Sequence, residues 1–126
     1  MRYVTLDENN LVVSAGQGKT IPTGAMPIKE NYSLNKLGDM MWNGSQLVPR
    51  PNSPMPYLDE GDVVIPACPL GTEIHIFDLV GKERLGIITA DTEGFSEVIT
   101  FPDPGTYDVE VYAPVPYLPT MIRVVL

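Results

Sequence analysis

One histidine and one cysteine set the limits on catalysis in this chain, since His75 and Cys68 are each the sole residue of their type. Any Ser/His/Asp or Cys/His relay would have to run through His75, because imidazole is the side chain that exchanges a proton near neutral pH. Cys68 stands close upstream, but the intervening Cys68-Pro69-Leu70-Gly71 reads as a turn and argues against a preorganised pair. The plainer readings are stronger. His75 fits the polar face of a strand, where Asp108 or Glu110 could face it across strands, and Cys68 fits a buried structural thiol. A lone cysteine closes no intramolecular disulfide and builds no paired-cysteine metal site. One histidine with scattered carboxylates makes a poor metal cage.

Neighbouring carboxylates occur at Asp7-Glu8, at Asp59-Glu60, and at Asp91 with Glu93. None has the alternating ligands and closing bidentate glutamate of a calcium loop. A glycosidase would need a sizeable groove between its two acids, for which a chain of this size leaves little room. Solvated turn acids are the better account. The run Ala15-Gly16-Gln17-Gly18-Lys19-Thr20 ends in Gly-Lys-Thr but lacks the first glycine of a phosphate loop and the helix that should follow it. We therefore expect no catalytic residue, no metal ligand and no cofactor, and we read the chain as a non-enzyme. A small hydrolase is the most remote of the alternatives.

The aromatic residues Trp42, Tyr57, Tyr112 and Tyr117 are the candidate contact residues, because Tyr and Trp concentrate at recognition surfaces and several of these stand at turns or beside prolines. A sugar-binding strip is one version of that reading. Packing of each ring onto its own sheet is the other.

The chain has 126 residues, enough for one ordinary domain or a domain with a small appendage, and 44% hydrophobic against 19% charged residues marks it as folded rather than disordered. A net charge of −8 makes nucleic acid and anionic membrane surfaces poor partners. The opening Met-Arg-Tyr-Val-Thr-Leu-Asp-Glu has no apolar signal core, and no later stretch has the length of a membrane span. The expectation is a protein made in a bacterial cytoplasm without a signal peptide, and without membrane insertion. The tripeptides Asn31-Tyr32-Ser33 and Asn43-Gly44-Ser45 match glycosylation acceptors, which matter only after secretion.

Thirteen prolines and eleven glycines suit short strands and turns, not helices. The sharpest change of composition, Pro49-Arg50-Pro51-Asn52-Ser53-Pro54-Met55-Pro56, predicts an extended spacer with few hydrogen bonds. It divides a β-hairpin arm (residues 1–48) from a β-sandwich domain (residues 57–126), with residues 49–56 as linker. In the arm, residues 2–6 and 11–13 predict one hairpin, and residues 40–42 and 45–48 a second, closed by a two-residue Asn43-Gly44 turn. Residues 16–31 read mostly as loop, and a brief helical turn fits residues 33–37. In the second part, strands are expected at 62–67, 72–78, 84–89, 95–101, 106–112 and 121–126. Ile74 and Ile76 alternate with Glu73, His75 and Phe77, and Tyr107, Val109 and Val111 with Asp108, Glu110 and Tyr112, the period of a sheet with one face in the core. Strands at this spacing without a crossover helix predict an all-β, antiparallel sandwich.

Thr89-Ala90-Asp91-Thr92-Glu93-Gly94-Phe95, then Phe101-Pro102-Asp103-Pro104-Gly105-Thr106-Tyr107-Asp108-Val109-Glu110-Val111, resembles the signature of prealbumin-like and immunoglobulin-like β-sandwich modules. Pro69-Leu70-Gly71-Thr72-Glu73-Ile74-His75-Ile76 fits the opening of the same modules. The resemblance spans residues 62–126 and implies a binding or spacer module, with Gly94 and Gly105 at positive φ and a first strand confined to an edge by Pro66, Cys68 and Pro69. The larger arrangement, a hairpin region with a Trp42-Asn43-Gly44 turn, a proline spacer and a sandwich, looks like small tail- or fibre-associated proteins of bacteriophages and prophages. It implies a structural component of a multi-protein assembly, incorporated in a virion, with itself and other assembly proteins as partners. The alternative is a bacterial carbohydrate- or peptide-binding β-sandwich module. An exposed apolar last strand, Met121-Ile122-Arg123-Val124-Val125-Leu126, further suggests a homo-oligomer.

Overall fold

A computed structural model of the chain describes residues 1–29 and 34–126. The tripeptide Asn31-Tyr32-Ser33 and the start of the expected helical turn lie outside the described residues. The remainder is all-β and folds as two compact units, Met1–Arg50 and Pro51–Leu126.

In the first unit β1 (Arg2–Leu6) is flanked by β2 (Val12–Gln17) and β3 (Met26–Ile28), all antiparallel. The Asp7 carboxylate accepts from the backbone N–H groups of Asn9 and Leu11, and Asn10 takes φ 64°, which together turn β1 back into β2. The loop expected over residues 16–31 is thus partly strand, since β2 runs on to Gln17 and β3 pairs with Arg2, Tyr3 and Val4. A 3₁₀ turn, Leu34–Asp39, delivers the fully buried Leu37 to a small core of Val4, Val12 and Leu47. The second hairpin joins β4 (Met40–Trp42) to β5 (Leu47–Pro49). Its connection is a four-residue loop and not the two-residue turn expected. The Asn43 carboxamide oxygen accepts from Ser45 N–H and Gln46 N–H, both at 2.9 Å, and so stabilises the wider loop, with Gly44 at φ 100°.

The second unit is an antiparallel sandwich. One sheet has the order β10 (Phe95–Ile99), β7 (Asp62–Cys68), β6 (Tyr57–Asp59). The other has the order β12 (Thr120–Val125), β11 (Thr106–Tyr112), β8 (Glu73–Asp78), β9 (Glu83–Thr89). Val63, Ile65 and Cys68 from the first sheet pack against Ile74, Ile76, Val109, Val111 and Val124 from the second. Each aliphatic side chain buried here contributes roughly 1.5–3 kcal/mol.

Two sequence expectations need correction in this unit. β7 is central in its sheet, although Pro66 and Pro69 suggested an edge. β6 is short and reaches only as far as Val64, and β10 is irregular where it passes Pro66, so the missing proline N–H interrupts no regular pair. Gly105 does not have positive φ; a Cβ there would stand 3.3 Å from the Tyr107 ring. That ring stacks on Phe101 at 4.1 Å, and its hydroxyl donates to the Asp103 carbonyl at 2.9 Å. The β8–β9 turn is organised by Asp78, whose carboxylate accepts from Val80 and Gly81 N–H, with Lys82 at φ 54°.

The expected spacer is also not free of hydrogen bonds. Leu118 N–H donates to Pro51 O and Ser53 N–H to Leu118 O, both at 2.7 Å. Ala113 N–H donates to the buried Ser53 hydroxyl at 2.9 Å, and Thr120 Oγ1 to Pro54 O at 3.0 Å. Prolines favour an extended chain, and here the extended chain is laid beside the segment that leads into β12. Removing the Ser53 hydroxyl leaves Ala113 N–H without its partner, so Ser53→Ala should cost about 1–3 kcal/mol in denaturant unfolding. A chain beginning at Pro51 should unfold cooperatively, and one beginning at Tyr57 should have a lower melting temperature.

Candidate functional site

Period-2 alternation fills the core with one face of β8 and β11 and turns the other face outward. Across the middle of that outer face runs a row of four residues: Ile87 on β9 stands opposite His75, His75 opposite Glu110, and Glu110 opposite Met121 on β12. Of the two cross-strand partners expected for His75, Glu110 is the one in register, and Asp108 faces Phe77. The Tyr112 ring meets His75 edge-on at 4.9 Å, and Phe77 stacks on the other side of His75 at 6.4 Å. The Tyr112 hydroxyl donates to the Glu110 carboxylate, which pushes the phenol pKa up. Ile87 and Tyr112 are 42% and 39% exposed, so the patch presents an aromatic and aliphatic surface to water.

A bidentate ion pair borders this patch. Arg123 Nε lies 2.8 Å from one oxygen of Asp108, and Nη2 lies 3.0 Å from the other. Asp108 is buried while Arg123 remains open to solvent. The hydrogen bond from the guanidinium holds the Asp108 carboxyl below its usual range, against the opposing effect of burial.

Of the four candidate aromatics, Trp42 belongs to one unit and three to the other, where they occupy three separate places. Trp42 belongs to the first unit, where it lines a cleft of about 300 Å³ with Pro27, Ile28, Lys29, Ser45, Gln46 and Leu47. Tyr57 lies exposed on the outer face of the three-stranded sheet, in a row with Val64 and the exposed Val98. Tyr112 is on the outer face of the opposite sheet. Tyr117 lines a shallow hollow of about 360 Å³ at one end of the sandwich, beside Cys68, Pro69, Glu93 and Gly94.

Cys68 and His75 are likewise separated. The thiol is buried in the core, donates to Pro66 O at 3.1 Å and has its pKa pushed up by burial, while His75 sits on the outside of the other sheet. Lys19 and Thr20 follow the end of β2, and no helix begins there. Among the described residues no group of three or more His, Cys, Asp or Glu is placed to hold a metal ion, and no helix is long and apolar enough to cross a membrane.

Sequence reasoning singled out Tyr112 but missed its surroundings, Phe77, Ile87 and Met121. The signal was present in the alternation of residues 73–77, whose outward set is aromatic as well as polar. Comparison with protein-family models, curated proteins and solved structures finds no match to this chain.

The Asp108 pair has a defined pH dependence. A carboxyl with a depressed folded pKa stabilises the fold above its ordinary value, about 3.9, and loses that contribution as pH falls through the depressed one. Asp108→Asn should therefore lower the melting temperature at neutral pH. The gap from the parent chain should close under acid conditions, as followed by circular dichroism between neutral pH and about pH 2.

Proposed function

We propose that this chain is a non-enzymatic structural component of a multi-protein assembly, a tail or fibre accessory of a bacteriophage or prophage, docking through the outer face of its four-stranded sheet. The observation that carries this reading is the exposed patch around His75, built from Phe77, Ile87, Tyr112 and Met121. Exposed apolar surface of this kind, bordered by charge and standing on a rigid sheet, is characteristic of protein contacts. The strand order β10-β7-β6 against β12-β11-β8-β9, with the Tyr107 hydroxyl bound to a carbonyl four residues upstream, supports the immunoglobulin-like half of the sequence resemblance. That architecture is consistent with a spacer or contact module. Its charge also bears on the partner. Pro51–Leu126 carries three basic and twelve acidic residues, whereas Met1–Arg50 carries five and four, so the sandwich favours a neutral or basic surface.

In a lysate of the source bacterium after prophage induction, the tagged chain should sediment with assembled tails on a density gradient. Ile87→Glu and Tyr112→Ala should shift it to the light fractions while leaving its unfolding midpoint nearly unchanged. A parent chain found only in the light fractions would refute the assembly reading.

The cleft beside Trp42 favours a second reading, a carbohydrate- or peptide-binding module. Trp42, Lys29, Gln46 and Ser45 line one concavity, and one aromatic residue among charged and polar ones suits a polar ligand with an apolar face. Trp42 is the only tryptophan, so its fluorescence reports on this cleft alone. On this reading, titration with neutral and acidic oligosaccharides and short peptides should give a saturable emission shift that Gln46→Ala weakens. Flat titrations with every ligand would remove the reading.

A further inference from the structure

Most sheet edges among the described residues carry a feature that discourages pairing with another chain. β2 is irregular beside Leu6 and contains Gly16, while β3 is three residues long and contains Pro27. β6 is equally short and follows Pro54 and Pro56. β10 is irregular between Phe95 and Glu97, and β9 pairs through a shift beside Phe77 and carries Glu83, Arg84 and Gly86. Bulges, prolines, charges and short length are the usual protections of an edge strand.

β12 follows Pro119 but has no bulge, no break and no unpaired charge within it. It runs from Thr120 to Val125 in unbroken register with β11, contains no proline or glycine, and has a single charge, Arg123, neutralised by Asp108. Its free backbone groups follow from the ladder. Gly105 and Leu126 exchange both hydrogen bonds, at 3.1 and 2.8 Å. Antiparallel pairs alternate, so Val124, Ile122 and Thr120 are the residues bonded to β11, and Val125, Arg123 and Met121 turn their N–H and C=O groups outward. The side chains of Val125 and Met121 are 75% and 44% exposed.

We propose that β12 is a dimerisation edge whose occupant is β12 of a second copy of this chain, paired antiparallel about a two-fold axis at Arg123. Met121 then meets the partner's Val125, Arg123 meets the partner's Arg123, and Val125 meets the partner's Met121. Each pair exchanges both backbone bonds, and the two four-stranded sheets become one continuous sheet. The edge is self-complementary because the outward groups are spaced symmetrically on either side of Arg123. The two guanidiniums meet at the axis, each already bound by its own Asp108 carboxylate, so the centre carries no net charge. The excess of acid on the sandwich opposes association, but as a long-range term screened within about 8 Å at physiological salt. This deepens the assembly reading by naming one partner and the surface that takes it. The two fail separately, because a monomer could still dock by its sheet face.

The test is light scattering and sedimentation of the full chain at tens of micromolar in moderate salt. The expected result is a dimer that tightens as salt is raised. Val125→Pro removes an outward N–H without touching a bond to β11, and Met121→Lys adds an exposed charge to the edge. Each should raise the dissociation constant at least about tenfold and leave the circular dichroism spectrum unchanged. For a variant that fails to fold, hydrogen exchange on the parent chain decides: the amides of Met121, Arg123 and Val125 should become more protected as concentration rises. A parent chain that remains a monomer overturns the proposal. So does a dimer that survives both substitutions, or edge amides whose protection does not depend on concentration.

Discussion

The two sheets of the sandwich are held together by aliphatic side chains that meet face to face, Val63 and Ile65 on one side and Ile74, Ile76, Val109 and Val111 on the other. Because side chains alternate along a strand, committing Ile74 and Ile76 to that core commits Glu73, His75 and Phe77 to the outside. The same reasoning turns Asp108, Glu110 and Tyr112 outward on β11. The patch around His75 is therefore the reverse side of the core. A one-residue slip in either strand would expose the core and bury the patch, so the register that stabilises the fold also positions the site.

The Asp108–Arg123 pair shows how such a register is reinforced. A carboxylate that would be costly to bury alone is covered by a guanidinium from the neighbouring strand, and the fork geometry of that contact suits only the pairing observed. It joins β11 to β12 on the outer face, while Val124 and Val109 hold the same strands from within.

Much of the sandwich was legible in the sequence, since turn residues at regular spacing and clean alternation over residues 72–78 and 106–112 depend only on local geometry. What was not legible depended on partners distant in the chain. β3 contains a proline and only three residues, and it is a strand because β1 offers it an edge. β7 is central despite Pro66 because its neighbours are short or irregular just there, which no inspection of β7 itself could reveal. The proline-rich segment was read as an extended spacer with few hydrogen bonds because proline stiffness is local information, whereas the bonds of Pro51 and Ser53 to Leu118 cross more than half of the second unit. Asn43-Gly44 suggested a tight turn on propensity, and a side-chain oxygen shared between two N–H groups stabilised a wider one. The four aromatics were grouped by residue type, which carries no information about which sheet face each would occupy.

The turn after β8 and the connection that leads into β11 differ in what they can accommodate. The approach to β11 is filled: Tyr107 lies over Gly105, against Phe101, and is bonded to Asp103, so added atoms have nowhere to go. The β8–β9 turn is organised from a single side chain, Asp78, and its Val80 projects into water. For anyone attaching a fluorophore, an affinity tag or a cross-linker to this protein, the side chain of Val80 is the attachment point that leaves core, patch and β12 edge undisturbed.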